Sequence, residues 1–183
     1  MGLILGQTDR PLNTTGKKQA AALKAQFKNI HFDVVYSSDL KRADKTAKIL
    51  AGGKKIIVKT IKDLREQSFG RYEGMKREEF RKLFKNWEKM TDLERHTHTL
   101  SEDMESNEKA FNRFISVIKK IIKSDTGKTV LIVCHGSLMR YLTIHLNYSG
   151  YDYMSYFDNT GFIKLESDGV NFFIKELRGF HKP

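Results

Sequence analysis

The stretch TVLIVCHGSLMRYL, residues 129–142, decides the fold class of this chain. Residues 129–134 form a continuous apolar run, which is typical of a strand buried on both faces in a parallel sheet. The residues that follow predict a helix through residue 146. We therefore expect His135 at the tip of a buried strand, where Gly136 allows a tight turn or the close approach of a ligand.

A second junction between a strand and a helix lies earlier, in VVYSSDLKRA, residues 34–43. The β-rich run 33–36 predicts a strand, and Ser38 is the expected N-cap of the next helix. Ligands of open α/β sheets gather where strands end and helices begin, so Arg42 could project over the strand ends. An arginine, a histidine and two helix N-termini together would make a phosphate site. The inward side of this helix is predicted to carry Ala43, Ala47 and Leu50.

Helices and short strands alternate along the rest of the chain. Apolar periodicity predicts further helices at residues 14–30, capped by Thr14 or Thr15, at 76–88 and at 111–122. Apolar runs predict further strands at residues 56–58, 162–165 and 170–174, of which the last two form a hairpin. Residues 91–103 show no clear pattern. This order predicts a three-layer α/β/α fold with a mostly parallel central sheet.

Length and composition are typical of a single domain spanning residues 1–183. The chain has 183 residues, of which 39% are hydrophobic, and no apolar run approaches the roughly 20 residues of a membrane span. With Cys134 as the one cysteine there is no internal disulfide, which favours a reducing cytoplasm. The net charge of +11 favours anionic partners. Because the lysines are spread over several helices, we expect phosphorylated small molecules rather than nucleic acid.

Four segments occur in an order that resembles the histidine phosphatase superfamily, the phosphoglycerate-mutase-like proteins. They are GQTDRPLNTTGKKQA at 6–20, VVYSSDLKRADKTA at 34–47, LREQSFGRYEG at 64–74 and VLIVCHGSLMRYL at 130–142. The resemblance covers about residues 6–146. It implies a phosphoglycerate-mutase-like fold and hydrolysis of phosphomonoesters through a phosphohistidine, with no metal and no cofactor.

The resemblance also assigns roles to particular residues. Arg42 would hold the oxygens of the transferring phosphoryl group, with Gly136 leaving room for it. His135 would donate a hydrogen bond to the same group in the transition state, where fixed cationic donors stabilise developing charge. Glu66 would act as the general acid that protonates the leaving oxygen. The segment 75–105 would form a partial lid, too short for the large specificity insertions that a mutase needs.

One part of the family pattern is missing. Family members begin with an apolar strand ending in Arg-His-Gly, whose histidine is the nucleophile, and residues 1–5 contain neither residue. We therefore expect this chain to be inactive or impaired, either as a shortened form of an active phosphatase or as a pseudoenzyme that binds phosphorylated ligands or a partner protein. The shortened form is favoured because Arg42, Glu66 and His135 all remain.

The missing strand also has a predicted energetic cost. About five buried apolar side chains would contribute about 7–15 kcal/mol, which is comparable to the whole net stability of a domain. The sheet is therefore expected to be marginal unless residues 1–5 or another chain fill the gap.

Cys134 and Arg140 suggest a rival mechanism, because C-x5-R is the spacing of cysteine-dependent phosphatases. Those enzymes attack phosphorus with a thiolate of low pKa. Here Val133 precedes the cysteine, and Leu138 and Met139 occupy the loop interior. A core cysteine on a buried strand, facing away from the side that His135 faces, is the favoured interpretation.

The sequence alone does not assign a role to several other polar residues. His96 and His98 are spaced for a metal, but no carboxylate or cysteine with convincing spacing accompanies them, so no metal is expected. Arg65, Arg71 and Arg140 fit structural ion pairs or substrate contacts equally well.

Overall fold

The computed structural model describes residues 2–52, 56–84, 89–148 and 155–182. It shows an α/β protein with a three-stranded parallel sheet and a two-stranded antiparallel hairpin. The strands are β1 (Val34–Ser38), β2 (Val58–Ile61), β3 (Val130–Val133), β4 (Tyr156–Ser167) and β5 (Phe172–His181). The helices are α1 (Thr14–Gln26), α2 (Lys41–Ala51), α3 (Arg77–Leu83), α4 (Asp92–Thr97), α5 (Asn107–Ser124) and α6 (Gly136–His145). No helix in these described ranges is long and apolar enough to cross a membrane.

The parallel sheet has the order β2-β1-β3, with α5 and α6 packed on one face and α2 on the other. Successive side chains of β1 point to opposite faces, as the pleat of a strand requires. Val34 and Tyr36 pack into the main core with residues of α5 and α6, whereas Val35 packs against Ala47 and Ala51 of α2. The central strand β1 is therefore buried on both sides, as expected for a parallel sheet.

Several local predictions are confirmed and others need correction. Ala43, Ala47 and Leu50 are buried on α2, as predicted. The N-cap of α1 is Asn13 rather than a threonine, since its side chain accepts a hydrogen bond from the backbone N–H of Gly16 at 2.8 Å. Ser38 is the last residue of β1 rather than the N-cap of α2.

The observed bounds of several other elements differ from the predicted bounds by a few residues. β2 begins at Val58, where the predicted strand ended, and both hairpin strands are longer than predicted. Helix α3 covers Arg77–Leu83, and residues 85–88 of the predicted helix lie outside the described ranges. Helix α4 was missed, although Thr91 and Glu94 form a capping box that the T-x-x-E spacing encodes.

Strand β3 is less buried than its apolar sequence predicts. All four of its residues are only partly buried, because β3 pairs with β1 alone among the described strands. Residues of β3 and of β4 line one open cavity of about 2620 Å³. Both faces of β3 are packed, as predicted, with Val130 and Ile132 against the main core and Leu131 and Val133 against the α2 side, but burial is incomplete because no described strand pairs with its other edge.

The first residues of the chain lie outside the sheet. Leu3 forms an isolated antiparallel bridge with Lys76, and the backbone N–H of Ile4 donates to the carbonyl oxygen of Met75 at 2.9 Å. Ile4 is buried in a small apolar cluster with Phe80 and Met104. Residues 2–4 therefore pair with residues 74–77 and not with β3 or β4, so they do not add a strand to the parallel sheet.

Candidate active site

The cavity extends past the carboxyl ends of β1 and β3, where the two strands lead into helices. Arg42 stands in the first turn of α2 just after β1, and His135 occupies the N-cap position of α6 just after β3. Because neighbouring parallel strands end at the same edge of a sheet, these residues come to the same edge. Arg42, Glu66, His135 and Gly136 all line this cavity. Arg42 lies within electrostatic reach of both Glu66 and His135, so the structure brings these predicted site residues to one end of the sheet.

The guanidinium of Arg42 is partly buried and is held by backbone oxygens. Its Nη2 donates to the carbonyl oxygen of Gly6 at 2.6 Å, and its Nη1 donates to that of Thr8 at 2.9 Å. Desolvation lowers the pKa of Arg42, opposed by the negative charge of Glu66 nearby. A guanidinium stays protonated at neutral pH and has five N–H donors, so Arg42 keeps its charge and further donors for an anion.

Glu73 fixes the loop that holds Arg42 and was not singled out by the sequence. Its Oε1 accepts hydrogen bonds from the backbone N–H groups of Gln7 at 2.8 Å and Phe69 at 3.2 Å. Its Oε2 accepts a hydrogen bond from the Thr8 hydroxyl at 2.5 Å. Gly6 has φ of +50°, and a Cβ there would overlap the carboxylate of Glu73, so both the backbone and the space require glycine.

The carboxylate of Glu66 lies at the N-terminus of α6. Its Oε1 accepts a hydrogen bond from the backbone N–H of Gln67 at 2.9 Å, and its Oε2 accepts one from that of Ser137 at 3.4 Å. The positive end of the helix dipole favours a carboxylate at this position. Glu66 therefore lies next to Ser137, two residues after His135.

Arg113 of α5 clamps the loop that carries Glu66. Its guanidinium forms two hydrogen bonds with the carboxylate of Glu105, at 2.7 and 3.0 Å. It also donates to the carbonyl oxygens of Asp63, Arg65 and Glu66, at 2.7, 2.7 and 2.9 Å. The sequence analysis did not single out Arg113, and the one available signal was a cation directly before the buried Phe114 of α5.

A buried polar cluster supports the same loop from below. The hydroxyl of Tyr141 lies 2.5 Å from Oε1 of Gln67 and 2.7 Å from Oδ1 of Asn107. The side-chain amide of Gln67 donates to Asn107 Oδ1 at 3.0 Å and to the carbonyl oxygen of Glu105 at 2.7 Å. Buried polar groups that satisfy each other in this way restrict a loop to one conformation.

The imidazole of His135 is buried and has an unused nitrogen. Only 9% of the residue is exposed, and Nε2 has no hydrogen-bond partner within the described part of the chain. Desolvation, followed by the positive charges of Arg42 and Arg113, holds the pKa of His135 well below its ordinary value. A buried polar atom without a partner is uncommon and indicates a place for a ligand group.

Gly136 begins α6 beside open space. Its backbone is not in the left-handed region, so a tight turn does not require glycine there, and that reason for the residue was wrong. A Cβ at this position would meet no atom within 4 Å. The remaining reason for a glycine at position 136 is that it leaves room for a ligand next to the N-terminus of α6.

The three ambiguous arginines differ in their partners. Arg65 forms an ion pair with Asp39 through two hydrogen bonds of 2.6 and 2.7 Å, and Arg71 forms one with Asp103 at 3.1 Å. Arg140 forms no ion pair with a carboxylate of the described ranges, and its Nε is buried without a hydrogen-bond partner. Arg65 and Arg71 are therefore structural, whereas Arg140 lines the cavity with a donor unused.

Cys134 is a poor candidate for a thiolate. It packs against the main apolar core. Desolvation, followed by the nearby carboxylate of Glu66, raises the pKa of Cys134 to about 12. A reactive thiolate needs the opposite shift, so the environment opposes the chemistry that the C-x5-R spacing suggested.

His96 and His98 lie at the end of α4 and have no evident ligand set. Within the described ranges, no three His, Cys, Asp or Glu side chains are grouped as a metal site would require. The ring of His98 instead lies 6.1 Å from the ring of Phe84, measured between centroids.

An α/β fold with a guanidinium, an imidazole and a carboxylate around a cavity at the strand ends is typical of proteins that bind phosphorylated ligands. The model of the histidine phosphatase superfamily (branch 1) matches residues 1–178, and the chain belongs to this family. Phosphatase PhoE of Bacillus subtilis (strain 168) is 30% identical over 142 residues, which are 78% of this chain and 67% of PhoE. Phosphoserine phosphatase 1 of Hydrogenobacter thermophilus is 31% identical over 144 residues, which are 76% of this chain and 66% of the relative.

Solved structures show the same fold. Phosphoglycerate mutase from Bacillus anthracis str. Sterne has a TM-score of 0.81 and 28% identity, covering 95% of this chain and 84% of that chain. YhfR of Bacillus stearothermophilus has a TM-score of 0.78 and 26% identity, covering 94% and 86%. These likenesses confirm the phosphoglycerate-mutase-like α/β fold that the four sequence motifs predict.

Proposed function

We propose that this chain is a phosphomonoester phosphatase domain of the histidine phosphatase family, acting on a phosphorylated small molecule without metal or cofactor. The observation that carries the proposal is that Glu66 is hydrogen bonded to the backbone N–H of Ser137, two residues after His135, and that Arg42 lies within electrostatic reach of both Glu66 and His135. Relatives at about 30% identity include phosphatases, which supports phosphoryl chemistry as the shared activity.

Each residue has a role that its surroundings support. Arg42 binds the phosphoryl oxygens with the donors that Gly6 and Thr8 leave unused. The neutral imidazole of His135 donates its free N–H to the same group, beside the open space at Gly136. Glu66 protonates the leaving oxygen from its position at the N-terminus of α6.

The nucleophile of this reaction belongs on a strand between β3 and β4. Both strands line the same cavity, and its volume of about 2620 Å³ exceeds the roughly 300–1000 Å³ of an ordinary ligand pocket. A strand ending in Arg-His-Gly in this gap would join the two sheets into the central layer of a three-layer fold and bring a second imidazole towards Arg42.

The segment 75–105 acts as a partial lid over the site. Arg77, Arg81, Phe84 and His98 of this segment line the cavity, and Phe80 and Met104 anchor the segment on Ile4. Because the segment is short, a phosphatase is favoured over a mutase. Residues 1–183 form one domain, which contributes Arg42, Glu66 and His135 to the site.

The test compares two forms of the protein. Turnover of p-nitrophenyl phosphate is measured for this chain and for a form extended upstream by an apolar strand ending in Arg-His-Gly. The matched control carries Arg-Asn-Gly in the same extension. Activity in the Arg-His-Gly form alone supports the phosphatase; inactivity of every form, with retained vanadate binding, favours a non-catalytic module that binds phosphorylated ligands or a partner protein.

The thiolate mechanism makes a different prediction in the same assay. Turnover by this chain that survives His135→Ala but is abolished by Cys134→Ser would overturn the assignment in favour of Cys134 and Arg140. In the active extended form we expect His135→Ala to abolish turnover and Cys134→Ser to leave it intact. The raised pKa of Cys134 leaves almost no thiolate at neutral pH.

A further inference from the structure

The carbonyl oxygen of Glu66 joins two parts of the site. It accepts a hydrogen bond from Nη2 of Arg113 at 2.9 Å and another from the side-chain amide of Gln7 at 3.1 Å. Gln7 is the middle residue of the loop 6–8, and two carbonyl oxygens of this loop hold the guanidinium of Arg42. The loop that holds the proposed phosphate-binding arginine is therefore hydrogen bonded to the backbone of the proposed general acid.

Arg113 makes the carbonyl group of Glu66 a rigid point of attachment. A guanidinium has five N–H donors, and those of Arg113 form two hydrogen bonds with the carboxylate of Glu105 and three with backbone oxygens of the segment 63–66. The side chains of Arg113 and Glu105 are only 18% and 16% exposed, and charge-assisted bonds of this kind are strong. The Glu66 end of the contact with Gln7 is therefore fixed.

The main chain of Gln7 is held by a different residue. Its backbone N–H donates to Oε1 of Glu73 at 2.8 Å, and Glu73 lies further along the chain than Glu66. The side-chain amide of Gln7 is the group that brings the loop 6–8 into contact with Glu66, across 59 positions of sequence. Loss of this amide would release the loop from Glu66 and leave the anchor at Glu73 in place.

We propose that Gln7 is a positioning residue, whose side-chain amide fixes the distance between an anion bound at Arg42 and the carboxyl group of Glu66. A general acid must reach the leaving oxygen of the phosphoryl group that Arg42 holds, and errors of about 1 Å in such a geometry are costly. Gln7 acts through Arg42 and Glu66. The inference rests on the proposed function, because Glu66 is the general acid of that reaction.

The inference has a consequence for anion binding that can be measured on this chain. The ionised carboxylate of Glu66 repels an anion at Arg42, and this repulsion weakens as the distance and the access of water increase. With Gln7 in place, Glu66→Gln is expected to tighten vanadate binding about three- to tenfold at about pH 8. Once the loop 6–8 is released from Glu66, the same substitution is expected to gain less than about twofold.

The test is a double-mutant cycle measured by vanadate titration at low ionic strength. The four proteins are the unaltered chain, Gln7→Met, Glu66→Gln and the double variant. Methionine has nearly the length of glutamine but no N–H donor. A merely structural role for Gln7 would weaken vanadate binding by the same factor whichever residue occupies position 66. The size of the gain from Glu66→Gln therefore separates positioning from stability.

Two further variants support the comparison. Gln26→Met is the matched control, because Gln26 is an exposed glutamine at the end of α1, and the gain from Glu66→Gln is expected to stay at about three- to tenfold in its presence. Gln7→Asn keeps a polar amide on a side chain that is one methylene shorter. It tests the same coupling if Gln7→Met does not fold, and it is expected to reduce the gain in the same way.

The possible failures are distinguishable. An equal gain from Glu66→Gln with and without Gln7→Met would overturn the inference and leave the phosphate site intact. So would the absence of any gain in the otherwise unaltered chain, or a gain reduced as much by Gln26→Met as by Gln7→Met. If the unaltered chain binds no vanadate, the phosphate site of the proposed function is contradicted, and the inference falls with it.

Discussion

Oε2 of Glu66 accepts a hydrogen bond of 3.4 Å from the backbone N–H of Ser137, across 71 positions of sequence. This contact joins the loop after β2 to the first turn of α6, two segments that the sequence motifs identify separately. It places a carboxylate beside the histidine that precedes α6. Glu66 therefore places a negative charge within electrostatic reach of Arg42.

The first prediction concerns this carboxylate and a bound anion. Glu66→Gln is expected to bind inorganic vanadate about three- to tenfold more tightly at about pH 8, because an ionised carboxylate repels an anion held at Arg42. The measurement is a titration at low ionic strength. The matched control is Glu79→Gln, since Glu79 is an exposed glutamate of α3 paired with Lys76. Weaker binding in Glu66→Gln would show that the carboxyl donates a hydrogen bond to the anion instead.

The second prediction concerns Glu73 and the loop at residues 6–8. Glu73→Ala is expected to lower the free energy of unfolding by about 1–3 kcal/mol, because three donors lose a charged acceptor. It is also expected to weaken vanadate binding, because the carbonyl oxygens of Gly6 and Thr8 that hold Arg42 are released.

Glu73→Gln serves as the conservative version, and urea unfolding and vanadate titration are the two measurements. The glutamine keeps an acceptor and the shape of the side chain, so both effects are expected to be smaller. Unchanged vanadate affinity in Glu73→Ala would contradict a role for Glu73 in positioning Arg42.

The third prediction concerns the pH dependence of stability. The pKa of His135 in the folded protein is held well below its ordinary value by desolvation and by Arg42 and Arg113. Below about pH 6.5 the unfolded chain binds a proton that folded His135 does not, so stability falls as the pH is lowered through this range. The contribution is fully present above about pH 6.5, and the slope approaches about 1.4 kcal/mol per pH unit for one histidine.

Urea unfolding between about pH 5 and pH 7.5 checks this prediction. His135→Gln is expected to reduce the slope, whereas His31→Gln, at a residue whose side chain is 76% exposed, is not. A part of the slope will remain, because partial desolvation also lowers the pKa of His145. Acidic groups with lowered pKa, such as Asp39 and Asp125, act only below about pH 4. Equal slopes in all three proteins would contradict the lowered pKa.

The fourth prediction concerns the buried polar cluster beneath the Glu66 loop. Tyr141→Phe keeps the ring but removes the hydroxyl that lies against the oxygens of Gln67 and Asn107. The free energy of unfolding is expected to fall by about 1–3 kcal/mol, the cost of buried polar atoms without partners. Tyr148→Phe is the matched control, because Tyr148 is 52% exposed. If Tyr141→Phe lowers the free energy of unfolding by less than Tyr148→Phe does, the side chains of Gln67 and Asn107 must satisfy each other without the hydroxyl.

Local features of the fold could be predicted from the sequence, because they depend on residues close together in the chain. The 3.6-residue period predicted α5, and the inward residues of α2 were correct. The T-x-x-E spacing at Thr91 likewise encodes the capping box that starts α4. These signals arise from backbone geometry and capping, which act over about one turn of helix.

Contacts between distant segments decided the rest. The apolar composition of β3 predicted burial on both faces, but burial depends on which strands lie beside it, and only β1 pairs with it among the described strands. The pairing of residues 2–4 with residues 74–77 likewise has no local sequence signal, because it consists of backbone hydrogen bonds, which do not depend on the side chains.

The sequence by itself determined the kind of chemistry: the order of four motifs, the residues Arg42, Glu66 and His135, and an excess of positive charge. Only the tertiary structure decided that Glu73 and Arg113 hold these groups in place and that Arg140 has an unused buried donor. The physical reason is that hydrogen bonding and desolvation are properties of an environment. A motif names a side chain, but the packing of distant segments determines which of its polar atoms remain free for a ligand.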